Sequence, residues 1–156
     1  MFTFGQIPAC FELNVSDDKR ALTLTFSDLQ VTVGGSNSPS PISTRVFSLV
    51  LPLEGDKKDE KDEKRVEIEF IVQGSILALE GATATLVCSV NGQTTVTDFP
   101  GASEQGFVQK LKFEAEAPSE ARLCVFLLLG RDSRNTNAEA HMNVSAIDIE
   151  ILPRPQ

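Results

Sequence analysis

Apolar and polar residues alternate with a period of two along most of the chain, which is the pattern of β-strands that bury one face. In VEIEFIV, residues 66–72, apolar side chains occupy every second position and two glutamates lie between them. No window of eleven or more residues shows a capped period of 3.6, so no helix is predicted. The pattern predicts eight or nine short strands, with turn signals every 8 to 15 residues.

Two predicted strands change the parity of their apolar positions. In ALTLTFSDLQVTV, residues 21–33, the apolar residues are even-numbered before Ser27-Asp28 and odd-numbered after it. A strand whose buried face switches in this way usually carries a bulge or a sharp bend. The last strand, MNVSAIDIEIL, makes the same kind of shift after Ala146.

Turn and edge signals complete the predicted fold. Asn91-Gly92 lies between two strand patterns and predicts a tight hairpin, and Pro52 places the end of its strand at a sheet edge. The strand in ARLCVFLLLG, residues 121–130, is apolar on both faces, which indicates a central strand covered on both sides or one face at an interface. The prediction is an all-β fold, a single antiparallel β-sandwich with jelly-roll or Greek-key connections.

One domain is predicted to span residues 1–156, with two prominent loops. The first, residues 34–43, is rich in Gly, Ser and Pro. The second, residues 54–65, contains ten consecutive charged residues of mixed sign. A hydrated connection between two strands is the expected role of this second loop, and a docking surface for a charged partner is the alternative.

The chain has a net charge of −8, to which the charged loop contributes only −1, with six acids and five bases. A diffuse negative surface repels nucleic acid and anionic lipid, because binding either relies on clustered Lys and Arg. No apolar stretch approaches the roughly 18 residues of a membrane span. The N-terminus lacks the marks of a signal peptide, which predicts a cytoplasmic protein at face value and a secreted one if the chain is a processed form.

Catalytic motifs are missing from the sequence, so no catalytic residue is predicted. The single histidine, His141, has no recognisable nucleophile or orienting partner, and the serine-hydrolase, zinc-protease and cysteine-protease signatures are absent. The three cysteines are too widely spaced for a zinc knuckle or a CxxC motif. Cys88 and Cys124 lie in apolar strands and are expected to be buried, whereas Cys10 is expected to be accessible.

All ten aromatic residues are phenylalanines, so the chain lacks the Trp and Tyr on which sugar-binding sandwiches usually stack their ligands. Five of them follow the inward parity of their strands and are expected in the core: Phe26, Phe47, Phe70, Phe107 and Phe113. Phe2, Phe4 and Phe99 lie outside the regular strand patterns and are the predicted exposed rings.

The stretch 130–141 has the richest polar chemistry, and its candidate ligand-binding residues are Asp132, Asn135, Asn137 and Glu139. Amides and carboxylates in such a loop can hold sugar hydroxyls or Ca²⁺. A polar hairpin loop without a ligand is the alternative interpretation.

Two resemblances add to this reading. ATATLVCSVNG, GFVQKLKFEA, ARLCVFLLL and VSAIDIEIL, between Val66 and Leu152, follow an order that resembles the carbohydrate-binding-module jelly roll. In that family an aspartate of the final strand often helps to bind a structural calcium, so the resemblance implies Asp148 as a candidate ligand; no other cofactor is expected. ALTLTFSDLQVTVGG, STRVFSLVLPL and QGSILALEGATATL are similar to a family of small secreted β-sandwich proteins of unknown function, which implies secretion and no activity.

Three functional hypotheses follow. The first is a non-catalytic recognition module that binds a glycan or a protein through loops at one end of the sandwich. The second is a self-assembling subunit, in which the N-terminal segment with Phe2, Phe4 and Ile7 adds as a strand to a neighbour's sheet edge and strand 123–129 is partly an interface. The third is an enzyme that uses carboxylates and His141.

Overall fold

The computed structural model describes residues 11–34, 41–53, 65–99, 103–116, 119–131 and 138–152. These residues form ten strands: β1 (Phe11–Val15), β2 (Ala21–Phe26), β3 (Gln30–Val33), β4 (Ile42–Leu53), β5 (Arg65–Ala78), β6 (Ala82–Val90), β7 (Gln93–Phe99), β8 (Ser103–Glu116), β9 (Ser119–Arg131) and β10 (Ala140–Ile151). The predicted loop 54–65 lies outside the described residues except for Arg65, which begins β5. The predicted loop 34–43 ends earlier than expected, because β4 already begins at Ile42.

Two antiparallel sheets make up the fold, as the sequence predicts. The six-stranded sheet has the order β1-β2-β10-β5-β8, with β3 beside β10, and the four-stranded sheet has the order β4-β9-β6-β7. With β2 and β3 taken as one interrupted strand and β1 as an addition, this is the strand order of a jelly roll. The described strands number ten rather than eight or nine, because segment 21–33 forms two strands and residues 11–15 form another.

The two predicted parity shifts are confirmed as irregularities of the six-stranded sheet. β2 pairs with the second half of β10 and β3 with its first half, so residues 27–29 interrupt the strand beside β10. On β10 the pairing with β5 shifts between Val144 and Ala146, so the irregularity comes just before Ala146 rather than after it, and Ser145 is the extra residue. Gly74 lies opposite this bulge, and a Cβ built there would overlap the carbonyl oxygen of Asn143.

The predicted hairpin and sheet edge are also confirmed. Asn91 and Gly92 connect β6 to β7 with φ angles of 48° and 86°, the left-handed values that a two-residue hairpin turn of this kind requires. The Asn91 side chain accepts a hydrogen bond from the Arg122 amide at 2.7 Å, which ties the turn to β9. Pro52 lies near the end of β4, an edge strand of the four-stranded sheet.

The core lies between the two sheets and consists of the inward-facing apolar side chains of the strands. Phe11, Phe26 and Phe47 form an aromatic cluster that joins the sheets, with ring centroids 4.8 to 5.7 Å apart. The prediction that Phe99 is an exposed ring is wrong. It ends β7 at 6 % exposure and packs against Phe107 at 5.6 Å, because the inward parity of β7 extends to its last residue.

Within the described ranges no helix is long and apolar enough to cross a membrane.

Candidate functional site

The predicted polar ligand site lies mostly outside the described residues. This applies to Asp132, Asn135 and Asn137, which therefore stay predictions. Glu139 is described, and it is exposed immediately before β10. Its carbonyl oxygen accepts a hydrogen bond from the Leu79 amide at 2.8 Å, so its backbone is anchored while its side chain faces solvent.

The predicted assembly residues Phe2, Phe4 and Ile7 also lie outside the described residues, together with Cys10. The first described residue of this part of the chain is Phe11, which begins β1 and contacts Phe47 of β4 with ring centroids 5.6 Å apart. β4 is an edge strand of the four-stranded sheet.

Asp148 lies on β10 and is engaged by its neighbours. The Thr23 hydroxyl donates to one carboxylate oxygen at 2.6 Å, and the Gln73 amide donates to the other at 2.9 Å. No group of three or more His, Cys, Asp and Glu side chains in the described part of the chain is placed to hold a metal ion. Both carboxylate oxygens of Asp148 are thus already hydrogen-bonded, and its role as a calcium ligand stays a prediction.

His141 lies near the start of β10, on the outer face of the six-stranded sheet. Its Nδ1 is 3.0 Å from the hydroxyl of Thr32 on β3, which pairs with it in register. Next to it, Asn143 Oδ1 accepts hydrogen bonds from both the hydroxyl and the amide of Ser75. These hydrogen bonds join neighbouring strands of the six-stranded sheet.

We call the outer surface of the six-stranded sheet the polar face. Its hydrogen-bonded side chains are Thr23, Thr32, Gln73, Ser75, His141, Asn143 and Asp148. It also carries charges of both signs, including the pair Lys112 and Glu69 with 3.7 Å between nitrogen and oxygen. These hydrogen-bonded side chains have their partners on neighbouring strands.

We call the outer surface of the four-stranded sheet the apolar face. The strand registers align one residue from each strand into a central row: Val46, Phe126, Val87 and Val96. Val46 and Val96, on the two edge strands, are 55 % and 58 % exposed. Phe126 and Val87, on the inner strands, are half-buried only by their neighbours within the sheet. An apolar band thus crosses the full width of the sheet without a further described layer over it.

The rows on either side of the central row differ in size. One consists of small side chains, Ser48, Cys124, Ser89 and Thr94, and the other of Thr44, Leu128, Thr85 and Asp98. Asp98 is the single charged residue in these three rows, and its carboxylate accepts a hydrogen bond from the Thr85 hydroxyl at 2.7 Å. Farther along β4 the surface continues with Ile42 and Val50, which are 60 % and 50 % exposed.

The two described cysteines lie on neighbouring strands but on opposite faces of the four-stranded sheet. Cys88 points into the core, where burial, and secondarily the nearby Cys124, raises its pKa to about 12. Cys124 points outward into the row of small side chains and is half-buried. The prediction that both thiols are buried is therefore confirmed for Cys88 and wrong for Cys124, because the outer side of β9 has no covering layer among the described residues.

The apolar face was only partly visible in the sequence. The two-sided apolar pattern of strand 123–129 indicated an interface as one of two interpretations. The contributions of Val46, Val87 and Val96 were missed, since each is a single outward valine among polar residues. Their common signal is a β-branched apolar residue at an outward position, and it becomes meaningful only when the register places the three side by side.

No protein-family model and no curated protein matches the sequence. Solved structures show partial similarity. Dimeric latent PorU from Porphyromonas gingivalis has a TM-score of 0.45 at 16 % identity. The match covers 69 % of this chain but only 10 % of PorU. TmCBM61, solved with β-1,4-galactotriose, has a TM-score of 0.42 at 8 % identity, over 92 % of this chain and 90 % of that one.

The CBM22-1 xylan-binding domain from Paenibacillus barcinonensis Xyn10C has a TM-score of 0.25 at 15 % identity, over 95 % of this chain and 85 % of the domain. Two of these three structures are carbohydrate-binding modules. None of these chains is similar enough to assign this protein a family or a ligand.

Proposed function

We propose that the protein is a non-catalytic recognition module that binds a protein partner through its apolar face. The observation that carries the proposal is the central row, Val46, Phe126, Val87 and Val96, which crosses all four strands at the surface. Contiguous exposed apolar surface of this kind marks interaction sites, because each Å² removed from water contributes roughly 25 cal/mol.

The chemistry of the apolar face favours a protein over a glycan. Its core offers valines and one phenylalanine with a single carboxylate, Asp98, in the adjoining row. Protein interfaces are likewise depleted of charge at their centre. A glycan needs converging hydrogen-bond groups beside any ring on which it stacks, and the side chains of the central row supply no hydrogen-bond donor or acceptor.

Paired charge substitutions on the two outer faces test this proposal. Val46→Asp places a carboxylate in the central row, while Val108→Asp makes the same change at a 62 % exposed valine of β8 on the polar face. Both variants gain one negative charge and both positions are exposed edge-strand residues. We expect a protein captured by the wild type from an extract of the source cells to be lost with Val46→Asp and retained with Val108→Asp. Equal capture by all three proteins would contradict the proposal.

A glycan bound by the loop between β9 and β10 is the alternative, and its residues are the predicted Asp132, Asn135, Asn137 and Glu139. A glycan array with and without Ca²⁺ distinguishes the two functions. Binding that is lost in Asp132→Ala or Asn135→Ala but kept in Val46→Asp would assign recognition to the loop. Binding to no glycan, together with capture that depends on Val46, would leave the apolar face as the recognition site.

A further inference from the structure

The apolar face has the dimensions, charge and relief of a surface that binds a copy of itself. We propose that its partner is a second copy of this chain, and that two copies stack apolar face against apolar face around a two-fold axis. This inference rests on the proposed function, since it names the partner of the same surface. Face-to-face packing of sheets about 10 Å apart already joins the two layers within one copy.

The relief of the face is self-complementary. The central row is a ridge of larger apolar side chains, and the neighbouring row of Ser48, Cys124, Ser89 and Thr94 is a shallow trough. Consider a two-fold axis that lies between the two facing sheets, perpendicular to the strands and midway between these two rows. This axis places the ridge of each copy over the trough of the other. Phe126 of one copy then lies over Cys124 of the second copy, a sulfur–aromatic contact that is favourable.

Charge restricts where two copies can approach each other. Each chain has a net charge of −8, so most pairs of surfaces bring like charges together. On the apolar face the ridge and the trough contain no charged residue. The nearest charged residues beyond the trough are Arg122 and Glu120. They form an ion pair with each other at 3.1 Å, so neither of them is an unpaired charge at the edge of the stacked surface.

The area of the face suits a reversible dimer. Four strands at a spacing of about 4.8 Å, with seven to nine residues of about 3.3 Å each, give about 450 to 570 Å² per copy. The two copies together would bury about 1,000 Å², which is the lower limit for a specific interface. We therefore expect association that depends on protein concentration, rather than an obligate dimer.

Sedimentation velocity over a concentration series provides the first test. We expect the wild-type chain to shift from monomer to dimer as its concentration rises, and Val108→Asp to do the same. Val46→Asp places a like-charged pair close to the axis, so its dissociation constant should rise by about 30-fold or more. Circular dichroism of both variants checks that the exposed substitutions leave the sandwich folded.

Cys124 gives a second, independent readout because it lies in the trough. In a Cys10→Ser background, maleimide should modify Cys124 more slowly as the dimer forms, while Cys88 stays unmodified in the folded core. Val46→Asp should abolish this protection, so that Cys124 reacts at the same rate at every protein concentration. Val108→Asp should keep the protection.

Three results would overturn the dimer, and they differ in what they mean for the proposed function. A monomer at every concentration, with capture of another protein that still depends on Val46, would leave the proposed function standing with a different partner. A monomer without any such dependence would reject both. A dimer that persists in Val46→Asp but dissociates in Phe4→Asp would assign association to strand addition by the N-terminal segment.

Discussion

The polar face and the apolar face are outer surfaces of two antiparallel sheets in one sandwich, yet their side chains have different uses. On the polar face, Asp148, Gln73 and Thr23 join three neighbouring strands through hydrogen bonds of 2.6 and 2.9 Å. On the apolar face, Val46 and Val96 point away from the sheet and are more than half exposed. One surface stabilises the fold itself, and the other contributes little to it.

Substitutions on the polar face and on the apolar face should therefore change different properties of the protein. Side chains that satisfy one another across strands are part of the stability of the fold, because removing one partner leaves the other without its hydrogen bond. Apolar side chains that remain in water contribute little to folding. They become favourable only when a partner covers them. Stability measurements should therefore respond to the polar face, and association measurements to the apolar face.

The largest effect on stability is expected for Gly74→Ala, beneath the polar face. Its new Cβ would overlap the carbonyl oxygen of Asn143 beside the Ser145 bulge, so the strands must move apart. We expect a loss of about 3 kcal/mol in the free energy of unfolding, measured with urea. Gly106→Ala on β8 is the control, because a Cβ there meets its nearest atom, the oxygen of Gly74, at 3.6 Å. Equal losses in both variants would show that glycine flexibility, rather than close approach, matters.

A smaller loss in the free energy of unfolding is expected for Asp148→Ala. This change removes the acceptor of both Thr23 and Gln73 in a partly buried position, which should cost about 1–2 kcal/mol in urea unfolding. Glu150→Ala, two residues farther along β10 at an exposed position, should change stability by less than about 0.5 kcal/mol. An unchanged free energy of unfolding in Asp148→Ala would mean that the hydrogen bonds of the polar face do not stabilise the fold.

The free energy of unfolding should fall at alkaline pH because of Cys88, which points from the four-stranded sheet into the core. The folded-state pKa of Cys88 is raised to about 12 from 9.0, so between these values the unfolded thiol ionises while the folded one stays protonated. The stabilising effect of burying a neutral thiol is complete below pH 9 and is lost as the pH rises towards 12. Cys88→Ala should weaken the decline of the urea midpoint between pH 9 and 10.5, whereas Cys124→Ala, which retains Cys88, should keep it.

The smallest effect on stability is expected for Val96→Thr on the apolar face. Val96 is 58 % exposed, and threonine has nearly the same shape, so the free energy of unfolding should change by less than about 0.5 kcal/mol. Its dimerisation should nevertheless weaken measurably in sedimentation, since a hydroxyl would enter the ridge. A clear loss of folding stability would mean that the apolar face belongs to the core and would remove the contrast between the faces.

Much of the fold was predictable from local patterns. The parity change at Ser27-Asp28 and the shift after Ala146 are visible because one extra residue reverses every later side chain. Asn91-Gly92 predicted its turn, since both positions need left-handed backbone angles. These signals are local, so a single sequence contains them.

The parts that could not be predicted depend on residues far apart in the chain. Val46, Val87 and Val96 form one row only through the order β4-β9-β6-β7, which no local pattern states. The burial of Phe99 depends on its contact with Phe107 of β8, which the pattern of β7 alone does not show. The candidate loop residues were chosen for their chemistry, and chemistry alone does not determine which side chains converge in space.

The position of β10 has a consequence for how the protein is made. This strand lies in the middle of the six-stranded sheet and pairs with β2, β3 and β5, all of which precede it in the chain. During synthesis the backbone groups with which those three strands bind β10 stay unpaired until β10 has emerged from the ribosome. Folding is therefore dominated by non-local pairing and should be slow, because long loops must close before these contacts form.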